Sequence, residues 1–216
     1  MFAMEIENRR RLHVISTGQQ SREELVNISK TIHPYLDMLH IREKSWTGAE
    51  LIKTVDELTA AGIPLRKLCI NDRADIAYMK HARGVQLSHH SAPVSLVKER
   101  FPTLKIGSSV HSMQEARLAC EEGADFLLYG NVYETTSKPG KKGTGIVNLE
   151  EIVLSIPLPV IAIGGMTPGR VADIVRTGVK GIAVLSGIFL AEDPLEAARA
   201  YYQAIHKEGK QLGETI

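Results

Sequence analysis

The strongest constraint on this chain is a regular alternation. Eight short aliphatic or β-branched runs, at residues 12–16, 38–42, 67–70, 84–87, 104–108, 126–130, 159–163 and 181–185, alternate with amphipathic stretches at 22–32, 48–61, 72–80, 94–100, 113–122, 149–154, 170–176 and 194–206. Over 216 residues this gives one strand–helix unit about every 27 residues, the length that a strand, a helix and two short loops require. Continuous apolar runs such as Val160-Ile161-Ala162-Ile163 read as parallel strands buried on both faces. Gly62, Gly123 and Gly178 stand between a helix and the next strand, as expected for αβ connections. A doubly wound sheet would carry G-x-G-x-x-G after its first strand, and Ser16-Thr17-Gly18-Gln19-Gln20 does not match. A closed (β/α)8 TIM barrel uses every unit and leaves no sheet edge. The expectation is one compact α/β barrel domain over residues 1–216, with no linker dividing it.

Charge and composition narrow the function. With 26 basic and 25 acidic residues the formal net charge is +1, which argues against the clustered Lys and Arg of a nucleic-acid or polybasic membrane binder. Aromatics at 5 % are too few for a base-stacking surface. No apolar run approaches a membrane span, and the start lacks the pattern of a signal peptide, so a cytoplasmic location is expected. Cys69 and Cys120 lie inside apolar patterns and suggest neither a disulfide nor a zinc site. The adjacent His89 and His90 suit no chelating spacing, so no metal and no cofactor are expected.

In barrels of this kind chemistry gathers at the C-terminal ends of the strands. Gly164-Gly165 and Ser186-Gly187, after strands 7 and 8, let backbone amides approach an anion and read as a phosphate cradle. Arg42 and Lys44 after strand 2 would hold a phosphate or carboxylate, or else pair with Glu43 on the surface. Asn71 suits a ligand contact, and Asp72 suits the N-cap of the third helix. His111, past strand 5, fits a proton shuttle or a hydrogen-bond partner in its turn. The polar, Gly-rich stretch 134–145 reads as a mobile lid.

Taken in order, several motifs resemble the thiamine-phosphate synthase/thiazole tautomerase superfamily over nearly the whole chain, most closely its TenI-like tautomerase branch. They are Ile41-Arg42-Glu43-Lys44, Asn71-Asp72-Arg73-Ala74-Asp75-Ile76-Ala77, Gly84-Val85-Gln86-Leu87 and Ser109-Val110-His111-Ser112, followed by Glu134-Thr135-Thr136, Ala162-Ile163-Gly164-Gly165-Met166-Thr167-Pro168 and Ser186-Gly187-Ile188-Phe189. The resemblance implies a phosphate held by the loops of strands 7 and 8 and a role in making the thiazole half of thiamine. Synthases of the family hold Mg²⁺ with two aspartates. The first matches Asp72, while the second falls at Ser91. They also carry Gln, which reads the pyrimidine, where this chain has His40, and Gly-Gln where it has Ser88-His89. In tautomerases a histidine directly follows the strand 6 glycine, and here that position is Asn131, an amide that cannot shuttle a proton.

The expected activity from this resemblance is thiazole tautomerisation, aromatising a carboxylated thiazole phosphate. His111 and Asn131 would be catalytic, and Arg42, Lys44, Asn71, Thr135 and Lys138 would contact the substrate. Gly164, Gly165, Ser186 and Gly187 would hold its phosphate. The alternatives are a thiamine-phosphate synthase and a non-catalytic regulatory protein that binds thiazole phosphate. The partner expected is a small phosphorylated thiazole, and a homodimer is compatible with the sequence.

Overall fold

The computed structural model describes residues 9–135, 140 and 142–211. Its eight strands are β1 (Arg11–Ile15), β2 (Met38–Ile41), β3 (Leu68–Asn71), β4 (Gly84–Leu87), β5 (Lys105–Val110), β6 (Phe126–Gly130), β7 (Val160–Ile163) and β8 (Gly181–Val184). All pair in parallel, and β1 pairs with β8 to close the barrel. Outside it run α1 (Arg22–Ile32), α2 (Gly48–Ala60), α3 (Ala74–Met79), α4 (Val94–Arg100), α5 (Met113–Glu121), α6 (Gly145–Ser155), α7 (Val171–Arg176), a short α8 (Ser186–Phe189) and α9 (Pro194–Gln211). The expected (β/α)8 barrel is therefore the fold. No helix among the described residues is long and apolar enough to cross a membrane.

Local chemistry explains where helices begin. Ser21 and Thr47 head α1 and α2 with reciprocal capping boxes to Glu24 and Glu50, each cap contributing about 1 kcal/mol. Asp193 accepts from the amides of Leu195 and Glu196, at 2.9 and 3.0 Å, to start α9. Asp72 does not cap α3. That helix starts at Ala74 without a side-chain cap, because Asp72 takes a left-handed conformation (φ 61°) that directs its carboxylate elsewhere.

Strand parity divides the interior in two. Leu12, Val14, Leu39, Ile41, Leu127 and Ile182 belong to the large cluster with the helices. The other parity fills the lumen. There Ile15, Leu128, Ile161 and Ala183 form a separate small cluster on one side, while His13, His40, Cys69 and Gln86 are buried polar or thiol groups on β1–β4. Burying a Leu or Ile stabilises by about 1.5–3 kcal/mol. The polar lumen positions give that up, which makes them candidates for function rather than stability.

Candidate active site

A cavity of about 1060 Å³ opens at the C-terminal ends of the strands. Most residues singled out from the sequence border it, including Arg42, Lys44, Asn71, His111, Asn131 and Thr135. Gly164, Gly165, Ser186 and Gly187 border it as well. Lys138 lies outside the described residues, as does part of the expected lid. Of that stretch, Lys142 and Thr144 reach the cavity.

The β7–β8 side is built for close backbone approach. Gly164 and Gly165 have φ of 102° and 64°, conformations that side-chain-bearing residues avoid. A Cβ on Gly164 would collide with Asn131, and one on Gly187 would meet Tyr201 Oη at 2.5 Å. The buried Tyr201 of α9 donates to the Met166 carbonyl at 2.8 Å, so one phenol braces the turn after β7 and packs beneath that after β8. Arg170 donates to the Gly165 carbonyl at 2.7 Å and stacks over the Tyr133 ring, 4.4 Å from its centroid.

The opposite side, at β2–β4, is polar and ionic. The Asp72 carboxylate accepts from Asn71 Nδ2 at 2.6 Å through one oxygen; Ser91 Oγ, and Ser88 Oγ at 3.5 Å, contact the other. Arg42 donates its backbone N–H to Ser16 Oγ at 2.8 Å. Neither Arg42 nor Lys44 forms an ion pair among the described residues. Glu43, the surface partner considered for them, is buried instead. Burial raises its pKa, and the polar groups of Ser16 and Gly18 together with the Arg42 charge partly offset the rise.

Between the two sides, His111 Nδ1 lies 3.3 Å from Glu115 Oε2, which also accepts the His111 backbone N–H at 2.6 Å. Asn131 is only 6 % exposed. Its side-chain Nδ2 donates to the Tyr133 carbonyl at 3.3 Å, and its backbone carbonyl accepts from the Thr144 N–H at 2.9 Å. Asn131 thus joins the β6 end to the segment that leads into α6. At the floor, His13 Nδ1 and His40 Nε2 approach to 2.9 Å. Burial lowers both pKa values, that of His40 to about 3, so both rings are neutral. Gln86 donates to Ser109 Oγ at 3.0 Å.

The comparisons with known proteins bear on this site. The profile of the family described as thiamine monophosphate synthase matches residues 12–188. The chain belongs to this family. A thiamine-phosphate synthase of Pyrococcus furiosus is 34 % identical over 197 residues, covering 90 % of this chain and 94 % of that one. One from Methanococcus maripaludis is 31 % identical over 212 residues, covering 94 % and 99 %. The solved structure of a thiamine phosphate pyrophosphorylase from Pyrococcus furiosus matches with a TM-score of 0.81 at 30 % identity, covering 94 % of this chain and 98 % of that one.

These findings correct the expected activity. The well-covered relatives carry the synthase name, so the tautomerase reading gives way to the first alternative. The residues that had favoured the tautomerase, Ser91, His40 and the Ser88-His89 pair, are substitutions within a synthase-family frame, and Asn131 already departed from the tautomerase pattern. Sequence reasoning passed over His13, Tyr201 and Arg170, and quoted Gln86 only within a motif, without a role. His13 and Gln86 sit at lumen parity within short apolar strands, a signal that was readable. Tyr201 looks like one more apolar residue of an amphipathic helix.

Proposed function

We propose that this chain is a thiamine-phosphate synthase, joining a pyrimidine pyrophosphate to a thiazole phosphate with release of pyrophosphate. The observation that carries the reading is one continuous cavity with two polar poles on opposite sides of the barrel mouth. Two anionic substrates that meet end to end need both poles, and the synthase relatives favour two substrates over one doubly charged ligand. Its volume is at the upper end of ordinary ligand pockets.

In this reading the thiazole phosphate takes the β7–β8 pole, with backbone amides around Gly164, Gly165, Ser186 and Gly187 toward its phosphate. Arg42 and Lys44 attract the pyrophosphate at the other pole, and Thr135 and Lys142 face the anions from the β6 side. Asn71 orients the Asp72 carboxylate. Reaction transfers the pyrimidine carbon from the pyrophosphate oxygen to the thiazole ring. The protein's part is to hold the two partners in line and to stabilise the departing charge. Asn131 and His111 orient groups and need not move a proton.

The resemblance to synthases implies Mg²⁺. Asp72 with the hydroxyls of Ser88 and Ser91 offers one carboxylate and neutral oxygens, a hard donor set that suits Mg²⁺ once substrate phosphate oxygens complete its shell. When bound there, Mg²⁺ would neutralise charge on the pyrophosphate. The reading is tested by incubating purified protein with both substrates and Mg²⁺ and measuring the joined product by chromatography. Product that requires both substrates supports it, and none at saturation overturns it.

A further inference from the structure

The floor holds a buried imidazole pair that neither pole uses. His13 and His40 are 2 % and 1 % exposed, with ring centroids 5.1 Å apart and Phe126 edge-on to each. Strand register sets His40 beside Ile15, one inward-facing position above His13. Two neutral imidazoles in contact share one hydrogen bond, so whichever ring donates compels the other to accept. The tautomer of one therefore fixes that of the other.

Among the described residues, that contact leaves His13 Nε2 and His40 Nδ1 unpartnered and buried, together with Gln86 Oε1. Burying a polar atom without a partner is costly, and both His40 and Gln86 border the cavity. Gln86 uses its amide nitrogen on Ser109 Oγ and the Leu87 carbonyl, which leaves its oxygen as an acceptor in want of a donor. Across the lumen, Ile15, Leu128, Ile163 and Ala183 give the same cavity an apolar wall suited to a flat ring. His13 does not border the cavity, so it can act only through His40.

We propose that His13 is a positioning residue. By donating its Nδ1–H to His40 Nε2 it places the His40 proton on Nδ1, where that N–H and the Gln86 carbonyl read the acceptor–donor edge of a flat amino-substituted nitrogen heterocycle. The inference deepens the synthase reading and rests on it in taking this ring to be the pyrimidine of the substrate, which the resemblance implies is read from the position of His40.

The test uses the full chain with ¹⁵N-labelled histidines at pH 7.5, and 4-aminopyrimidine as the probe. Expected in the ligand-free protein are neutral His13 and His40 that both carry their proton on Nδ1. The probe should shift the resonances of both rings, and inorganic pyrophosphate should shift neither. His13→Phe should turn His40 into a mixture of tautomers and weaken the probe about tenfold, with phosphate affinity unchanged. His13→Asn, which keeps an N–H donor, should restore much of that loss. A His40 protonated on Nε2, a probe that shifts His40 alone, or undiminished probe affinity in folded His13→Phe would each overturn the proposal. If His13→Phe does not fold, the wild-type tautomers and His13→Asn decide. The readouts are tautomer and binding, so a protein that meets them yet forms no joined product overturns the synthase reading alone.

Discussion

The Tyr201 hydroxyl donates to the Met166 carbonyl at 2.8 Å, and the same oxygen occupies the space that a side chain on residue 187 would need. One phenol from α9 therefore supports both halves of the proposed phosphate cradle. Tyr201→Phe strands a buried carbonyl and should cost about 1–3 kcal/mol, read as a lower urea midpoint with an unchanged slope. It should also raise KM for thiazole phosphate several-fold while kcat changes little, since the cradle binds ground and transition states alike. An unchanged KM would separate α9 from the site.

Gly164→Ala tests the cradle itself. The residue adopts φ 102°, and an added Cβ would collide with Asn131. The expected outcome is a loss of about 1–3 kcal/mol in stability and of at least about tenfold in affinity for inorganic phosphate, the latter measured by calorimetry.

Asp72 is held at φ 61° with its carboxylate among Asn71, Ser88 and Ser91. Asn tolerates this conformation, so Asp72→Asn removes the charge with little change in backbone. Turnover should fall by about 10²-fold or more, and thiazole phosphate affinity should stay within about twofold. Loss of both together would place Asp72 in the fold rather than in the chemistry.

The buried histidines make stability depend on pH with a definite sign. Burial lowers the pKa of His40 to about 3 and that of His13 well below its ordinary value, and the nearness of His40 and Arg11 further disfavours a charge on His13. The unfolded chain therefore binds more protons than the folded one below about pH 6.5. Their neutral burial is without penalty above that pH, and stability is lost as pH falls from about 6.5 toward 3. The limiting slope is about 1.4 kcal/mol per pH unit for each histidine. Urea midpoints at pH 7 and pH 5 should differ less in His40→Gln than in the wild type. An equal difference would show that His40 titrates alike in both states.

All eight strands were legible in the sequence because each is a short run rich in aliphatic or β-branched residues that alternates regularly with an amphipathic stretch, even where a lumen position is polar. Boundaries shifted where local chemistry overrode pattern. The sixth helix begins at Gly145 rather than 149, launched from a φ of 83°, and the third begins after Asp72 rather than on it. The cavity border was legible from the strand-end rule, which placed Arg42, Asn71, His111 and Gly164 on one rim. The His13–His40 contact was not, because it joins residues 27 positions apart and depends on barrel closure and strand parity rather than on any motif. Activity was misread for a related reason. Single substitutions such as Ser91 weigh heavily when motifs are compared one at a time, and lightly against similarity over nine-tenths of the chain.

The most direct test of the central claim, two substrates meeting in one cavity, is stoichiometric. Pyrophosphate release from the pyrimidine substrate is followed with and without thiazole phosphate, in parallel with the joined product. The account predicts one pyrophosphate per product and near-background release when thiazole phosphate is left out. No product with both substrates saturating, or pyrophosphate release indifferent to thiazole phosphate, would contradict it.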